Sequence, residues 1–290
     1  MKISFLESHV MSKMRLGELV RNSVEFLRDK GMEEPEIEVA LLIAHALKID
    51  RIKLYLSYDR YLSADELNVI DKLLRRRARH EPIQYIMGET EFMSFTFLVN
   101  PSVFIPRPET EIVVMTLIEL TKSSKSPIIF DIGTGSGVIA ISVLKFIKDA
   151  FAYASDITPL DVAYENAERL GVKDRIKFLR GSLFEPFRGI QKADFIVSNP
   201  PYIKAYDIEF LQPEIREFEP RESLDGSEDG IKFIKPLIDE SHNYLREGGT
   251  LILEIGDGNS QKIKDMALNF FQEVRIIKDL ANKDRILVAR

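Results

Sequence analysis

The chain has 290 residues, of which 45% are apolar and 30% charged, and it contains no cysteine. That balance describes a globular protein of one large or two smaller domains. It excludes a disordered chain, a collagen-like fibre, a disulfide-stapled module, a thiolate metal site and a cysteine nucleophile. A net charge of −6 argues against a protein that neutralises a phosphate backbone with massed Lys and Arg.

The N-terminal stretch, MKISFLESHVMSK, carries Glu7 and has no apolar run long enough for a secretory leader. The longest uninterrupted apolar stretches, such as Val39–Ala44, fall far short of a bilayer span, so a cytoplasmic protein that does not enter membranes is expected. Leu16, Leu19, Val20, Val24 and Leu27 recur at spacings of three and four and predict a helix that Gly31 closes. A second helix is predicted over Pro35–Ile49, burying Ile37, Leu41, Ala44, His45 and Leu47 or their neighbours, and a short third over Arg51–Leu56. Ser63 with Glu66 three residues on is a capping box, opening a helix through Leu67, Ile70, Leu73 and Leu74 to the cluster Arg75, Arg76, Arg77 and Arg79. These segments predict a small helical bundle.

The pattern changes at Pro82. Gln84–Met87 and Glu91–Val99, with Gly88 between them, are expected to form a β-hairpin. Pro106 and Pro108 break the chain before an apolar helix over Glu109–Thr121. Strands are then predicted at Ile128–Ile132, Ala152–Asp156, Ile176–Arg180, Phe195–Ser198, Thr250–Ile255, Glu273–Ile277 and Arg285–Val288, with helices between most of them. The expected fold class is α/β, a Rossmann-like sheet of seven mostly parallel strands, whose ligands bind beyond the carboxyl ends of the strands. The domain plan is a helical domain over residues 1–81, a hairpin linker over 82–105 and the sheet domain over 106–290.

Asp131-Ile-Gly133-Thr-Gly135-Ser-Gly137 follows the first strand and opens a helix. A dinucleotide fingerprint would need glycine where Val138 stands, and no Gly-Lys-Ser/Thr follows for a phosphate loop. The D-x-G-x-G-x-G spacing instead resembles the S-adenosylmethionine loop of class I methyltransferases, with Gly133, Thr134, Gly135, Ser136 and Gly137 about the cofactor. Asp156 ends the second strand, where an acid accepts hydrogen bonds from ribose hydroxyls. Such enzymes often place an acid near the adenine after the third strand. Here Ser182 stands in that place, and the backbone at Leu183 is the alternative contact.

Asn199-Pro200-Pro201-Tyr202 ends the fourth strand. Pro200 holds Asn199 extended, and two prolines supply carbonyls but no amide hydrogens. The side-chain oxygen of Asn199 and the carbonyl of Pro200 can accept the two hydrogens of a planar NH2 group, with the ring of Tyr202 beside it. Such a nitrogen is a weak nucleophile because its lone pair is delocalised. Acceptors on its hydrogens aim that lone pair and bind the charge that develops on the nitrogen as a methyl arrives. A proline-rich turn is the plainer alternative. No cluster of His9, His45, His80 and His242 has ligand spacing, so no metal is expected.

With these residues in place, the chain resembles the HemK/PrmC family, the protein-(glutamine-N5) methyltransferases of peptide chain release factors. The resemblance spans the whole chain. It includes Gln84-Tyr-Ile-Met-Gly88, Ile105-Pro-Arg-Pro-Glu-Thr-Glu111, Glu219-Pro220 ahead of Leu224-Asp-Gly226, Asp229-Gly230 and Leu253-Glu-Ile-Gly256. It implies S-adenosylmethionine as cofactor, the glutamine of the release factor's Gly-Gly-Gln motif as acceptor, and a helical N-terminal domain that grips the release factor. It also places Arg107 as a wall of the cofactor pocket, with a structural salt bridge as the alternative. Phe104 and Pro106 would cover the sulfonium end or belong to the hairpin core. For Glu254 and Gly256 the turn-forming reading is favoured over the cleft.

An N6-adenine methyltransferase of DNA or RNA would share Asn-Pro-Pro-Tyr, and a ribosomal-protein glutamine methyltransferase would share the chemistry. A non-catalytic cofactor-binding subunit would tend to lose the acceptor motif. Residues 1–80 carry a net +2 and the remainder −8. An acidic catalytic domain suits a protein loop better than a phosphate backbone, so no direct DNA contact is expected; the partner that the resemblance implies is a release factor, and a monomer is expected.

Overall fold

The computed structural model describes residues 14–122 and 124–290, so the leader-peptide reading and His9 lie outside the described residues. The chain divides into two compact units after Met87.

The first unit is helical, with helices over Leu16–Asp29, Pro35–Leu47, Arg51–Leu56, Ala64–Arg77 and Ile83–Met87. Leu16, Leu27, Leu42, Ile43, Leu54 and Ile70 are fully buried among them. Each such side chain contributes about 1.5–3 kcal/mol. The Ser63–Glu66 capping box forms in both directions. The second helix buries Val39, Leu42 and Ile43 and leaves Ile37 and His45 exposed. The predicted face is thus turned, because a helix apolar nearly all round fixes no phase by periodicity. The arginine cluster is drawn into ion pairs: Arg75 Nε with Asp71 at 2.7 Å, Arg76 Nε with Glu81 at 2.9 Å, and the buried Arg77 with both oxygens of Glu38 at 2.8 and 2.9 Å.

The predicted first arm of the hairpin is corrected: Gln84–Met87 lies in the helix Ile83–Met87, which follows Pro82 and stops at Gly88. The hairpin is β1 (Glu89–Phe92) with β2 (Phe95–Leu98), and its turn is Met93-Ser94, both at positive φ. No glycine or asparagine marks that turn. A tertiary contact holds it instead, the Met93 amide donating to Glu111 Oε1 at 2.6 Å. The linker predicted over 82–105 is therefore divided between the two units.

The second unit carries a sheet of β3 (Ile128–Ile132), β4 (Phe151–Asp156), β5 (Ile176–Arg180), β6 (Ala193–Ser198), β7 (Leu245–Glu254), β8 (Val274–Lys278) and β9 (Asp284–Ala289), in the order β5-β4-β3-β6-β7-β9-β8. β9 runs antiparallel to both of its neighbours, β7 and β8, and the other pairings are parallel. The strands at the centre are buried on both faces, as continuous apolar runs such as Phe195-Ile-Val require. Helices Thr110–Thr121, Val138–Phe146 and Asp161–Arg169 and the hairpin rings Phe92 and Phe97 share one core. The helices Ile234–Tyr244 and Ser260–Ala267 share the other. The chain leaves β3 toward β4 and β5, then returns to β6 on the far side of β3. That reversal places the topological switch point between β3 and β6.

Candidate active site

Ile132 and Ser198 are register partners at the carboxyl ends of β3 and β6, and the Ser198 hydroxyl donates to the Ile132 carbonyl at 2.6 Å. The glycine loop and Asn199-Pro-Pro-Tyr202 therefore emerge side by side at the switch point. A cleft opens there, lined by Gly133, Thr134, Gly135 and Ser136 on one side and by Asn199, Pro200, Pro201 and Tyr202 on the other. Asp156, Ser182, Leu183 and Phe104 complete the wall.

Asp131 and Gly137 are not among the lining residues; they build the loop from behind. Asp131 is fully buried and accepts from Thr134 Oγ1 at 2.7 Å and the Ala140 amide at 3.2 Å. Burial pushes its carboxyl up to about 6, against these two hydrogen bonds. Gly137 has φ +85°, and a Cβ there would lie 2.6 Å from Ile141 Cδ1. Only glycine allows both that backbone and that approach. Sequence reasoning missed Asn166, which is buried and donates to the Ser136 carbonyl at 2.9 Å while exchanging hydrogen bonds with the Leu98 backbone at 2.7 and 3.0 Å. Its one sequence signal is its place on the apolar stripe of Val162, Ala163 and Ala167 in the helix Asp161–Arg169.

Asp156 Oδ2 accepts from the Gly135 amide at 2.9 Å, and its Oδ1 accepts from the amide and hydroxyl of Thr158. The carboxylate is held at the rim of the cleft with lone pairs to spare. Ser182 is exposed and Leu183 half-buried at positive φ, both on the cleft.

Arg107 does not line the cleft. Its guanidinium is ion-paired with Glu219, whose side chain is 1% exposed, and it lies 4.7 Å from the ring centroid of Phe104. This ion pair favours the salt-bridge alternative for Arg107 over the pocket wall. Glu219 also accepts from the Ile105 amide at 3.3 Å, so one buried acid fixes the segment that carries Phe104 and Pro106 onto the cleft. Burial raises the Glu219 carboxyl, and Arg107 opposes that shift.

Thr110, next in the same segment, connects the wall to the acceptor motif. Asn199 Nδ2 donates to Thr110 Oγ1 at 3.1 Å, Thr110 Oγ1 donates to Glu254 Oε2 at 2.7 Å, and Tyr202 donates through its hydroxyl to Glu254 Oε1 at 3.2 Å. Glu254 is 1% exposed, and burial lifts its carboxyl to about 7 despite those donors. Burial, then the Glu254 charge, raises the Tyr202 hydroxyl, which stays a neutral phenol. A Cβ at Gly256 would meet Tyr202 Cδ2 at 2.9 Å, and one at Gly230 its carbonyl oxygen at 2.5 Å. Those two glycines make room for the tyrosine, which accounts physically for Asp229-Gly230 and Leu253-Glu-Ile-Gly256.

Among the described residues no group of three or more His, Asp or Glu could hold a metal ion, and no helix is long and apolar enough to cross a membrane. The cleft fits an S-adenosylmethionine-like molecule on its own features: a glycine loop at the switch point, a carboxylate held at its rim, and apolar walls from Phe104, Pro106, Ile157 and Leu183.

Residues 18–88 match the PrmC N-terminal domain family, and residues 94–212 match the methyltransferase small domain family. The chain is 42% identical over 243 residues to a release factor glutamine methyltransferase of Geobacter sulfurreducens, covering 83% of this chain and 84% of that one. It is 38% identical over 281 residues to a protein of the same name from Moorella thermoacetica, covering 96% and 97%. Among solved structures, a T. thermophilus 16S rRNA methyltransferase in complex with AdoMet and guanosine superposes with a TM-score of 0.52 at 17% identity, covering 70% of this chain and 49% of that one; this likeness concerns the fold.

Proposed function

The chain belongs to the release factor glutamine methyltransferase family, and from that premise we propose how its cleft carries out the reaction. The enzyme transfers a methyl group from S-adenosylmethionine to the side-chain amide nitrogen of a release-factor glutamine, which we place in the Gly-Gly-Gln motif. When bound, the cofactor supplies an electrophilic methyl on a sulfonium. Gly133, Gly135 and Ser136 would hold its amino-acid end, Asp156 its ribose hydroxyls, and Ser182 with the Leu183 backbone its adenine, while Phe104 would cover it. Asp131, Thr134 and Gly137 keep the loop in shape.

Asn199 Oδ1 and the Pro200 carbonyl accept the two hydrogens of the glutamine NH2, and Pro201 and Tyr202 flank the flat amide. As the new N–C bond forms and the methyl's bond to sulfur breaks, positive charge moves onto the nitrogen, which then gives up one of its two hydrogens as a proton to water. The two acceptors therefore bind the transition state more tightly than the ground state. Holding the amide in line removes entropic cost, and no strong base is needed while the acceptors carry the charge. The observation that carries this reading is the Asn199 amide clamp beside the glycine loop, because it leaves Oδ1 as a free acceptor in the cleft. We assign release-factor recognition to the helical unit, and the reaction to a monomer that makes no direct contact with DNA. The acidity of the sheet unit favours a protein acceptor over a phosphate backbone.

The test is transfer of labelled methyl to purified release factor, to a ribosomal protein and to DNA, with mass mapping of the products. Label on the release-factor glutamine is expected. Label on adenine with none on glutamine would overturn the reading.

A further inference from the structure

Thr110 and Glu254 lie behind Asn199, and while Glu254 is ionised their hydrogen bonds run in one direction only. A hydroxyl has a single proton to give. That of Thr110 goes to Glu254 Oε2 at 2.7 Å, and that of Tyr202 goes to Oε1 at 3.2 Å. Thr110 Oγ1 then faces Asn199 with lone pairs alone, so only the NH2 end of the Asn199 carboxamide can meet it, as it does at 3.1 Å. The opposite rotation would aim Asn199 Oδ1 at Thr110. It would draw the threonine proton away from Glu254 and leave an oxygen of a carboxylate that is 1% exposed without a donor. It would also turn an NH2 group toward the amide nitrogen that is to be methylated, donor against donor.

We infer that Thr110 and Glu254 are positioning residues that set the rotation of the Asn199 carboxamide, and thereby present its oxygen to the substrate NH2. The inference rests on the role given to Asn199 above. It explains why a threonine at the first turn of the helix Thr110–Thr121 and a glutamate at the last residue of β7 belong to the acceptor site, although they are 144 residues apart in sequence. Tyr202 shares the same carboxylate, so the aromatic wall and the acceptor are fixed by one group.

The experiment compares Thr110→Val, Thr110→Ser, Glu254→Gln and Asn199→Ala as full-length proteins. It measures kcat and KM on purified release factor, S-adenosylhomocysteine binding by calorimetry, and melting temperature. Valine keeps the shape and removes the hydroxyl. The expected result is a kcat lower by about ten- to hundredfold for Thr110→Val, with nucleoside affinity within about twofold of wild type and KM little changed. Thr110→Ser keeps the hydroxyl and returns kcat to within about threefold. A Thr110→Val kcat equal to wild type, with Asn199→Ala inactive, overturns the inference and leaves the Asn199 reading standing. An active Asn199→Ala overturns that reading instead. If Thr110→Val does not fold, Glu254→Gln decides: its amide can accept from only one of the two hydroxyls, so an undiminished kcat overturns the inference and a reduced kcat with intact nucleoside binding supports it.

Discussion

The Gly135 amide donates to Asp156 Oδ2 at 2.9 Å, so the residue expected to bind ribose also anchors the loop expected to bind the rest of the cofactor. Sequence spacing of about 20 residues cannot reveal this, because the contact runs between the ends of two adjacent strands, β3 and β4. The link makes Asp156→Ala doubly costly: it removes an acceptor for the ribose and frees the turn at Gly135. We expect the S-adenosylhomocysteine Kd to rise about ten- to hundredfold, the equivalent of about one hydrogen bond to a charged group. Turnover at saturating cofactor should fall much less. Titration calorimetry checks this, and an unchanged Kd removes Asp156 from the cofactor site.

Asn199→Ala separates binding from chemistry. The side chain acts on the acceptor nitrogen through its oxygen, and one of its amide hydrogens is spent on Thr110. Cofactor affinity should stay within about threefold, while kcat falls on the order of a hundredfold or more, as for loss of one preorganised polar group at a centre of developing charge. Equal loss of both would mean that Asn199 shapes the cofactor pocket rather than the reaction.

The fold was largely legible because its signals are local. The strand Ile128–Ile132 is predicted to the residue, since a short apolar run before a glycine loop has few alternatives. The hairpin was misplaced because Met93-Ser94 takes a left-handed turn on the strength of Glu111, a contact made 18 residues away. In the site, Asn-Pro-Pro-Tyr and the glycine loop announce their chemistry through backbone requirements. Arg107 and Glu254 do not. Whether an arginine faces a cofactor or a buried acid depends on Glu219, 112 residues along the chain, and a glutamate ending a strand looks like a turn residue until Thr110 and Tyr202 are found around it.

Arg107→Ala tests the salt-bridge role against the pocket-wall role. The substitution strands the Glu219 carboxylate, whose side chain is 1% exposed, while the guanidinium it loses is 29% exposed. Breaking a fully buried pair costs about 3–5 kcal/mol; with one partner partly solvated, about 2 kcal/mol is expected here. Loss of the cation raises the already elevated Glu219 carboxyl further, so the variant should be least impaired at low pH, where that group is protonated, and most impaired above neutrality. Melting curves at pH 5 and pH 8 measure this. A stable Arg107→Ala protein with sharply weakened nucleoside binding would restore the pocket-wall reading.

Glu254 makes the sheet unit's stability sensitive to pH in a direction opposite to that of an ordinary surface carboxylate. Burial lifts its folded value to about 7 from the usual 4.5, and the Thr110 and Tyr202 hydroxyls only partly offset that. A raised value means that the folded protein holds the proton more tightly than the unfolded chain. The stabilisation is fully present below about pH 4.5 and is lost as pH climbs through 7. The loss amounts to about 3 kcal/mol. Glu254→Gln carries no titrating group, so wild-type stability should fall relative to the variant between pH 4.5 and 7.5. Taking the difference cancels the carboxyls that both proteins share. Urea unfolding followed by circular dichroism across that range gives the two curves, and parallel curves would show that the Glu254 proton is bound no more tightly in the folded state than in the unfolded one.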